Sequence, residues 1–75
     1  MSKHSPGPLS PRQVEVVQLA VNGMTAHQIA AYLGISRHTV NEYMQAAKQR
    51  IGVSTKAELI AWAVISGMAQ TGRNN

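Results

Sequence analysis

TAHQIAAYLGISRHTVNEYMQAAKQRI, from Thr25 to Ile51, is the stretch that decides the fold. Thr25 followed three residues later by Gln28 predicts a capping box, which opens a helix. Gly34 suits the left-handed conformation that ends a helix, and Ser36 suits the N-cap of the next one. Because only a short turn separates these signals, the stretch predicts two helices joined as a helix-turn-helix.

The second helix of this pair is predicted to be amphipathic. Its apolar residues recur at helical spacing and form one stripe, made of Val40, Met44, Ala47 and Ile51. Another face carries cations and amides, namely Arg37, Asn41, Gln45 and Lys48. Side chains of these types bind phosphates and read base edges, so this face is a candidate surface for DNA.

A helix is predicted before this pair, from Pro11 to about Asn22. Ser10 and Gln13 form a second capping box, and Pro11 suits the first helical position because no hydrogen bond is lost there. Apolar residues cover so much of the helix that we expect it to be largely buried: Val14, Val16, Val17, Leu19, Ala20 and Val21.

A fourth helix is predicted from Lys56 to about Ser66, opened by a third capping box of Thr55 and Glu58. It is apolar on nearly every side, so one core contact cannot cover it. If Leu59 and Ala63 face the core, a second apolar surface remains that an identical helix would cover. This expected homodimer surface consists of Ala57, Ala61, Val64, Ile65 and Met68.

The 75 residues allow one small domain with a modest core. No strand pattern occurs along the sequence, so we expect an all-α fold. Seven Lys and Arg against three Glu give a net charge of +4, which favours a polyanionic partner. Cysteine is absent, and no apolar run is long enough to span a membrane. We therefore expect a cytoplasmic protein, with a flexible arm at residues 1–8 and a flexible tail at residues 70–75.

The residues that would be needed for catalysis or metal binding are scattered. The three glutamates lie on three different predicted helices, as Glu15, Glu42 and Glu58, and His27 and His38 also lie on different helices. Catalytic and metal sites need such groups clustered at suitable spacing. The sequence therefore predicts no enzyme activity, no cofactor, no metal and no small-molecule ligand in this domain.

Several motifs together resemble the LuxR-type (LuxR/FixJ) DNA-binding domain of bacterial transcription regulators. They are Leu9-Ser10-Pro11-Arg12, Gly23, Gln28-Ile29-Ala30 with Leu33, Ile35-Ser36 with Thr39-Val40, and Gly52-Val53 before Ala57-Glu58-Leu59. The resemblance implies a domain over residues 9–69, a four-helix bundle of the winged-helix-like superfamily without a wing. It also implies that the third helix enters the major groove and that the fourth makes a homodimer. Double-stranded DNA is the implied partner, and RNA polymerase is a further candidate.

Some residues of the third helix depart from the family pattern. Asn41 and Gln45 stand where many members carry Lys or Arg, and Tyr43 stands where His is frequent. Long cations suit guanine, whereas amides match the N6 and N7 atoms of adenine. The departures therefore predict a different base preference on the same fold.

We expect base contacts from Asn41, Gln45 and Glu42, the last by accepting a hydrogen bond from cytosine N4. Phosphate contacts are expected from hydroxyl groups and cations near helix starts and along the third helix. These residues are Thr25, Ser36, Arg37, His38, Thr39, Lys48 and Lys56.

Two alternative functions are compatible with this fold. One is a helical protein-interaction module that docks through the apolar fourth helix, and its groove would be expected to carry more exposed apolar or aromatic residues. The other is a helix-turn-helix like the carboxy-terminal piece of an RNA polymerase sigma factor.

Overall fold

A computed structural model describes residues 9–67, in which the chain forms four helices. They are α1 (Pro11–Val21), α2 (Ala26–Leu33), α3 (Arg37–Ile51) and α4 (Lys56–Ile65). The described residues contain no strand, so the prediction of an all-α bundle is confirmed. The expectations for residues 1–8, for Met68 and for residues 70–75 lie outside the described residues.

Local hydrogen bonds start each helix where the sequence predicted. The Ser10, Thr25 and Thr55 side chains each accept from the backbone N–H three residues on, at 3.1–3.2 Å. Gln13, Gln28 and Glu58 close the three capping boxes by accepting from the cap residues' own N–H groups. Each cap contributes about 1 kcal/mol, so the short α2 depends on it more than the longer helices do.

The turn between α2 and α3 consists of Gly34, Ile35 and Ser36. Gly34 has φ +72, and the N–H groups of Gly34 and Ile35 both donate to the Ala30 carbonyl, at 2.9 and 3.0 Å. A Cβ on Gly34 would meet nothing within 4 Å, so glycine is needed there for its conformation and not for space. Ser36 then accepts from the Thr39 N–H at 3.0 Å and starts α3.

Two helix ends differ by one residue from the prediction. α1 ends at Val21 and α4 ends at Ile65, because Asn22 and Ser66 are C-caps and not helical residues. At both ends the following glycine donates its N–H to the carbonyl three residues back, at 3.0 Å for Gly23 and 3.2 Å for Gly67. These tighter bonds end the regular helical ladder one residue earlier.

The core consists of two clusters on the two sides of α1 and α3. Buried side chains between α1, α3 and α4 form the first, which consists of Leu9, Val17, Ala47, Leu59 and Ala63. Those between α1, α2 and α3 form the second, which consists of Val16, Ala20, Ile29, Ala30 and Val40. Met44 packs against both clusters, so α3 is held through one side chain to each half of the core. Full burial of a side chain such as Leu59 is worth about 1.5–3 kcal/mol, more than any single cap.

Candidate nucleic-acid interface

The outward face of α3 is rich in amides and carries little net charge. It borders a shallow depression of about 350 Å³ that is lined by His38, Asn41, Glu42, Gln45, Ala46 and Gln49. All six residues belong to α3, so no side chain of another helix within residues 9–67 lines this depression. Opposite to it lie the buried Val40 and Ala47, with Met44 and Ile51 half-buried, which confirms the predicted stripe.

Asn41 and Gln45 also line a second depression, of about 220 Å³, on the flank of α3. This depression lies between α3 and the first residues of α2 and α4, which contribute Ala26 and Lys56. Lys48 lines it as well, so two ammonium groups from different helices border the same hollow. The two amides thus form a crest between an outward depression and a flank that carries lysines.

The residues of the predicted cationic face therefore lie at separate places on α3. Arg37, at the first position of α3, is exposed, whereas Lys48 is half-buried on the flank and does not line the outward depression. The structure brings Lys56 to the same hollow as Lys48, although eight positions separate them in the chain. Amides make up half of the lining of the outward depression, and the two lysines border the hollow on the flank of α3.

The hydroxyl groups expected to contact phosphates already act in helix caps. Thr25 Oγ1 accepts from the Gln28 N–H at 3.1 Å, and Ser36 Oγ lies 2.9 Å from Thr39 Oγ1. Thr25 and Ser36 are exposed, and Thr39 is half-buried. Because these residues begin α2 and α3, they stand at the ends whose free N–H groups attract anions.

One contact between an imidazole and a carboxylate lies on the outward face. His38 Nε2 is 3.2 Å from Glu42 Oε2, and both side chains are largely exposed. The other two carboxylates of the described residues have structural partners elsewhere: Glu15 pairs with Arg12 at 3.0 Å, and Glu58 caps α4. The N–H groups of Ser54 and Thr55 donate to Glu58 and lower the pKa of its carboxyl below the ordinary value of 4.5.

Gln49 is a member of the outward face that the sequence interpretation did not single out. It lines the same depression as Glu42 and Gln45 and is exposed. The signal was present in the sequence, because positions 38, 42, 45 and 49 repeat at spacings of four, three and four, opposite the apolar stripe. Gln49 therefore extends the amide surface by one further turn.

α4 divides its surface between core and solvent. Leu59 and Ala63 are fully buried, as expected, and Ile60 and Trp62 pack at the edges of the two core clusters. The residues on the opposite side are all exposed: Ala57, Ala61, Val64 and Ile65. Ile65 is 85% exposed, so the apolar surface expected on α4 is present within the described residues.

Residues 9–67 contain neither a cluster of candidate metal ligands nor a helix suited to crossing a membrane. No three side chains from His, Asp and Glu come together in a group that could hold a metal ion. None of the four helices combines the length and apolar character that crossing a membrane requires.

Comparison with known proteins agrees with this architecture. A family profile described as "Bacterial regulatory proteins, luxR family" matches residues 7–63. Similar curated proteins include the HTH-type quorum sensing-dependent transcriptional regulator VjbR of Brucella ovis, 38% identical over 60 residues. Transcriptional regulatory protein MctR of Rhizobium johnstonii is 34% identical over 61 residues, and transcriptional activator protein ExaE of Pseudomonas putida is 35% identical over 60.

The aligned segments cover 80–81% of this chain and 23–28% of those three relatives. The chain thus spans about a quarter of the length of the curated relatives it matches. The matched segment contains the capped turn between α2 and α3 and the whole of α3. The chain is therefore a helix-turn-helix DNA-binding domain that belongs to the luxR family of bacterial regulatory proteins.

Proposed function

We propose that this domain binds duplex DNA sequence-specifically by laying α3 in the major groove. The observation that carries the proposal is the exposed crest of Asn41 and Gln45, with Lys48 and Lys56 together on its flank. A helix with its side chains is about 10–12 Å across and fits the major groove, which is about 12 Å wide. The amides would then meet base edges while the lysines meet the adjacent backbone.

Base selection is assigned to three side chains of the outward face. Asn41 and Gln45 can each donate to N7 and accept from N6 of adenine, so adenines are expected at two positions of each half-site. Glu42 can accept from N4 of cytosine. All three line the outward depression and are exposed, which supports their reach to base edges.

Phosphate binding is assigned to residues around the rim of this face. Arg37, Lys48 and Lys56 supply charge, and His38 supplies an imidazole at the start of α3. Thr25, Ser36 and Thr39 lie at or beside the starts of α2 and α3, where backbone N–H groups favour a phosphate. Such contacts fix the position of a helix on DNA and carry no direct sequence information.

Two copies of the domain are proposed to associate through α4. An apolar surface that nothing within residues 9–67 covers is formed by Ala57, Ala61, Val64 and Ile65. Two-fold contact is the commonest way to cover such a surface. The small alanines allow two helices to approach closely. Met68 belongs to the same proposal, and the pair would place two α3 helices on half-sites about one DNA turn apart.

The wider role proposed is that of the DNA-binding part of a cytoplasmic transcription regulator, comprising residues 9–69 and having no catalytic activity. Two of the relatives are named as a transcriptional regulator and a transcriptional activator, which supports this role. RNA polymerase would be a second partner when the domain occupies a promoter. These contacts use only side chains and backbone groups of the chain, so the proposed binding needs no cofactor.

The test is to select binding sites from a random duplex pool and then compare variants on the selected site. Asn41→Ala and Gln45→Ala should each cost about 1–3 kcal/mol on that site and change binding to random duplex little. Asn22→Ala removes an exposed amide from the end of α1 and serves as the matched control, with parental affinity expected. Equal losses on selected and random DNA would refute base reading by these amides.

A further inference from the structure

The hollow on the flank of α3 has an apolar floor that DNA contacts leave unexplained. Ala20, Ile29 and Val40 line it, belong to the core between α1, α2 and α3, and are almost fully buried. Ala26 and Met44 line it as well, so five of its nine lining residues are apolar. The DNA backbone is charged and polar, so a phosphate would contact the lysines at the rim but would not fill this floor.

The rim of the hollow carries positive charge. Lys48 lines it from α3 and Lys56 from α4. None of the three glutamates lines it, and neither lysine forms an ion pair within residues 9–67. Lys48 is half-buried, as expected when the methylene stem of a lysine lies against apolar surface and its ammonium group stays in water. The hollow therefore combines an apolar floor with two cations that no carboxylate of this part of the chain neutralises.

The size of the hollow limits what can fill it. Its volume is about 220 Å³, whereas sites for drug-sized ligands have about 300–1,000 Å³. An apolar cavity of about 150 Å³ accepts one benzene molecule. One aromatic ring with a short acidic side chain therefore matches both the volume and the charge of the hollow. The thioether of Met44 can also make a favourable contact with the edge of such a ring.

We propose that this hollow binds a small aromatic carboxylate, and that an occupied hollow weakens DNA binding. The carboxylate would neutralise Lys48 and Lys56, and the ring would lie beside Asn41 and Gln45, which line the same hollow. The effect on DNA rests on the proposed function, whereas binding of the acid to the free domain does not. No small-molecule ligand was expected from the sequence, because residues from all four helices form the hollow and helical spacing does not reveal it.

The first measurement is binding of phenylacetate to the free domain, followed through the backbone amide signals in NMR spectra. Phenylacetate should bind with a dissociation constant of about 0.1–5 mM and shift the signals of Ile29, Val40 and Met44. Phenylacetamide has the ring without the charge, and acetate has the charge without the ring. Each should bind about tenfold more weakly or worse, because it loses one of the two contacts. If phenylacetate shifts no signals, or if either analogue binds equally well, the proposal is overturned.

Four substitutions locate the site, and the NMR spectrum of each variant reports whether it is folded. Lys48→Gln and Lys56→Gln should each weaken phenylacetate binding about three- to tenfold and leave phenylacetamide binding unchanged. Arg12→Gln removes a cation that does not line the hollow and should keep the parental affinity. Ala26→Leu fills the hollow and should abolish binding, whereas Ala31→Leu, at an exposed position of α2, should not. Parental affinity in both lysine variants would mean that the acid binds elsewhere and that the proposal is wrong.

The effect on DNA is measured with the parent on its selected operator at constant ionic strength. At ten times its own dissociation constant, phenylacetate should raise the apparent dissociation constant of the operator about tenfold, because acid and DNA exclude each other. Phenylacetamide at the same concentration should change it little. If the parent binds no duplex, the proposed function falls and the NMR titration still decides whether the site exists. If the acid binds and operator affinity is unchanged, the effect on DNA is overturned and the proposed function stands.

Discussion

Side chains from two helices supply the charge beside the crest of α3. Lys48 and Lys56 border one hollow, although they belong to α3 and α4. Each phosphate that a cation neutralises contributes about −0.9 to the slope of log K against log salt. The contribution of these two lysines to binding can therefore be measured as a change in this slope, separately from any loss of folding.

Lys48→Ala should reduce the magnitude of that slope by about one and weaken binding to selected and random duplexes alike. The measurement is a salt titration of affinity on both duplexes. Arg12→Ala removes the same charge from α1, where the guanidinium lies 3.0 Å from Glu15, and is the matched control. If the Lys48→Ala variant keeps the parental slope, Lys48 does not contact a phosphate.

Residue positions on α3 were predictable only in part. The stripe of Val40 and Ala47 fixes which side of α3 is buried, so the exposure of Asn41 and Gln45 followed from helical spacing. The half-burial of Lys48 and its hollow shared with Lys56 depend on how α4 packs against α3. Helical spacing carries no information about a neighbouring element, so the sequence could not predict that pair.

At the scale of single elements, α4 differs from α1 and α2 in how it begins. The capping boxes of α1 and α2 use neutral glutamines, Gln13 and Gln28, whereas α4 uses Glu58. The Ser54 and Thr55 N–H groups donate to that carboxylate at 2.8 and 3.1 Å and lower its pKa. A lowered native pKa adds stability above the ordinary value of 4.5, and this stability is lost as the pH falls through the native value.

Glu58→Gln should therefore be less stable than the parent at pH 7, and the difference should disappear in acid once Glu58 is protonated. The glutamine boxes of α1 and α2 indicate that the cap geometry survives the change. Urea unfolding at pH 7 and near pH 2–3 measures the effect, with Glu15→Gln as the control that keeps the α4 cap intact. A constant difference at both pH values would contradict the assigned role of the charge.

Helix starts were more predictable than helix ends. Each start depends on a cap residue and a partner three positions on, such as Thr25 with Gln28, and the sequence displays both directly. The ends of α1 and α4 depend on which carbonyl accepts the N–H of Gly23 or Gly67, which the residue type does not determine. This is why both ends were predicted one residue too late.

At the scale of the whole molecule, α4 leaves an apolar surface that nothing within residues 9–67 covers. Ala57, Ala61, Val64 and Ile65 form it, whereas a stable protein interface buries about 800 Å² on each partner. Four side chains, two of them alanines, supply much less than that. Association of the isolated domain should therefore be weak, and DNA should promote it by holding two copies close together.

Ala61→Glu should abolish cooperative binding to a duplex with two half-sites and spare binding to one half-site, because it sets two like charges near the dimer axis. Ala31→Glu makes the same change at an exposed position on α2 and should keep the cooperativity. Titration of both duplexes measures this, and sedimentation gives the number of chains bound. One chain per full operator, or parental cooperativity in Ala61→Glu, would contradict the dimer.

The fold of the whole molecule was predictable because local signals and apolar periodicity agree along α1 to α4. What covers α4 could not be predicted, since an exposed apolar surface in one chain does not identify its partner. The same limit applies to the operator, because Asn41 and Gln45 indicate adenines but not their spacing.

The most direct test of the central claim, that α3 reads base edges, is a double-mutant cycle between a side chain and a base atom. Adenines of the selected operator are replaced one at a time by 7-deazaadenine, which lacks the N7 acceptor, and each duplex is titrated with the parent, Asn41→Ala and Gln45→Ala. If an amide contacts an adenine, one replacement and one alanine substitution together should cost less than the sum of their separate costs, by about 1 kcal/mol or more. Additive losses for both amides at every adenine would show that α3 does not read base edges through them.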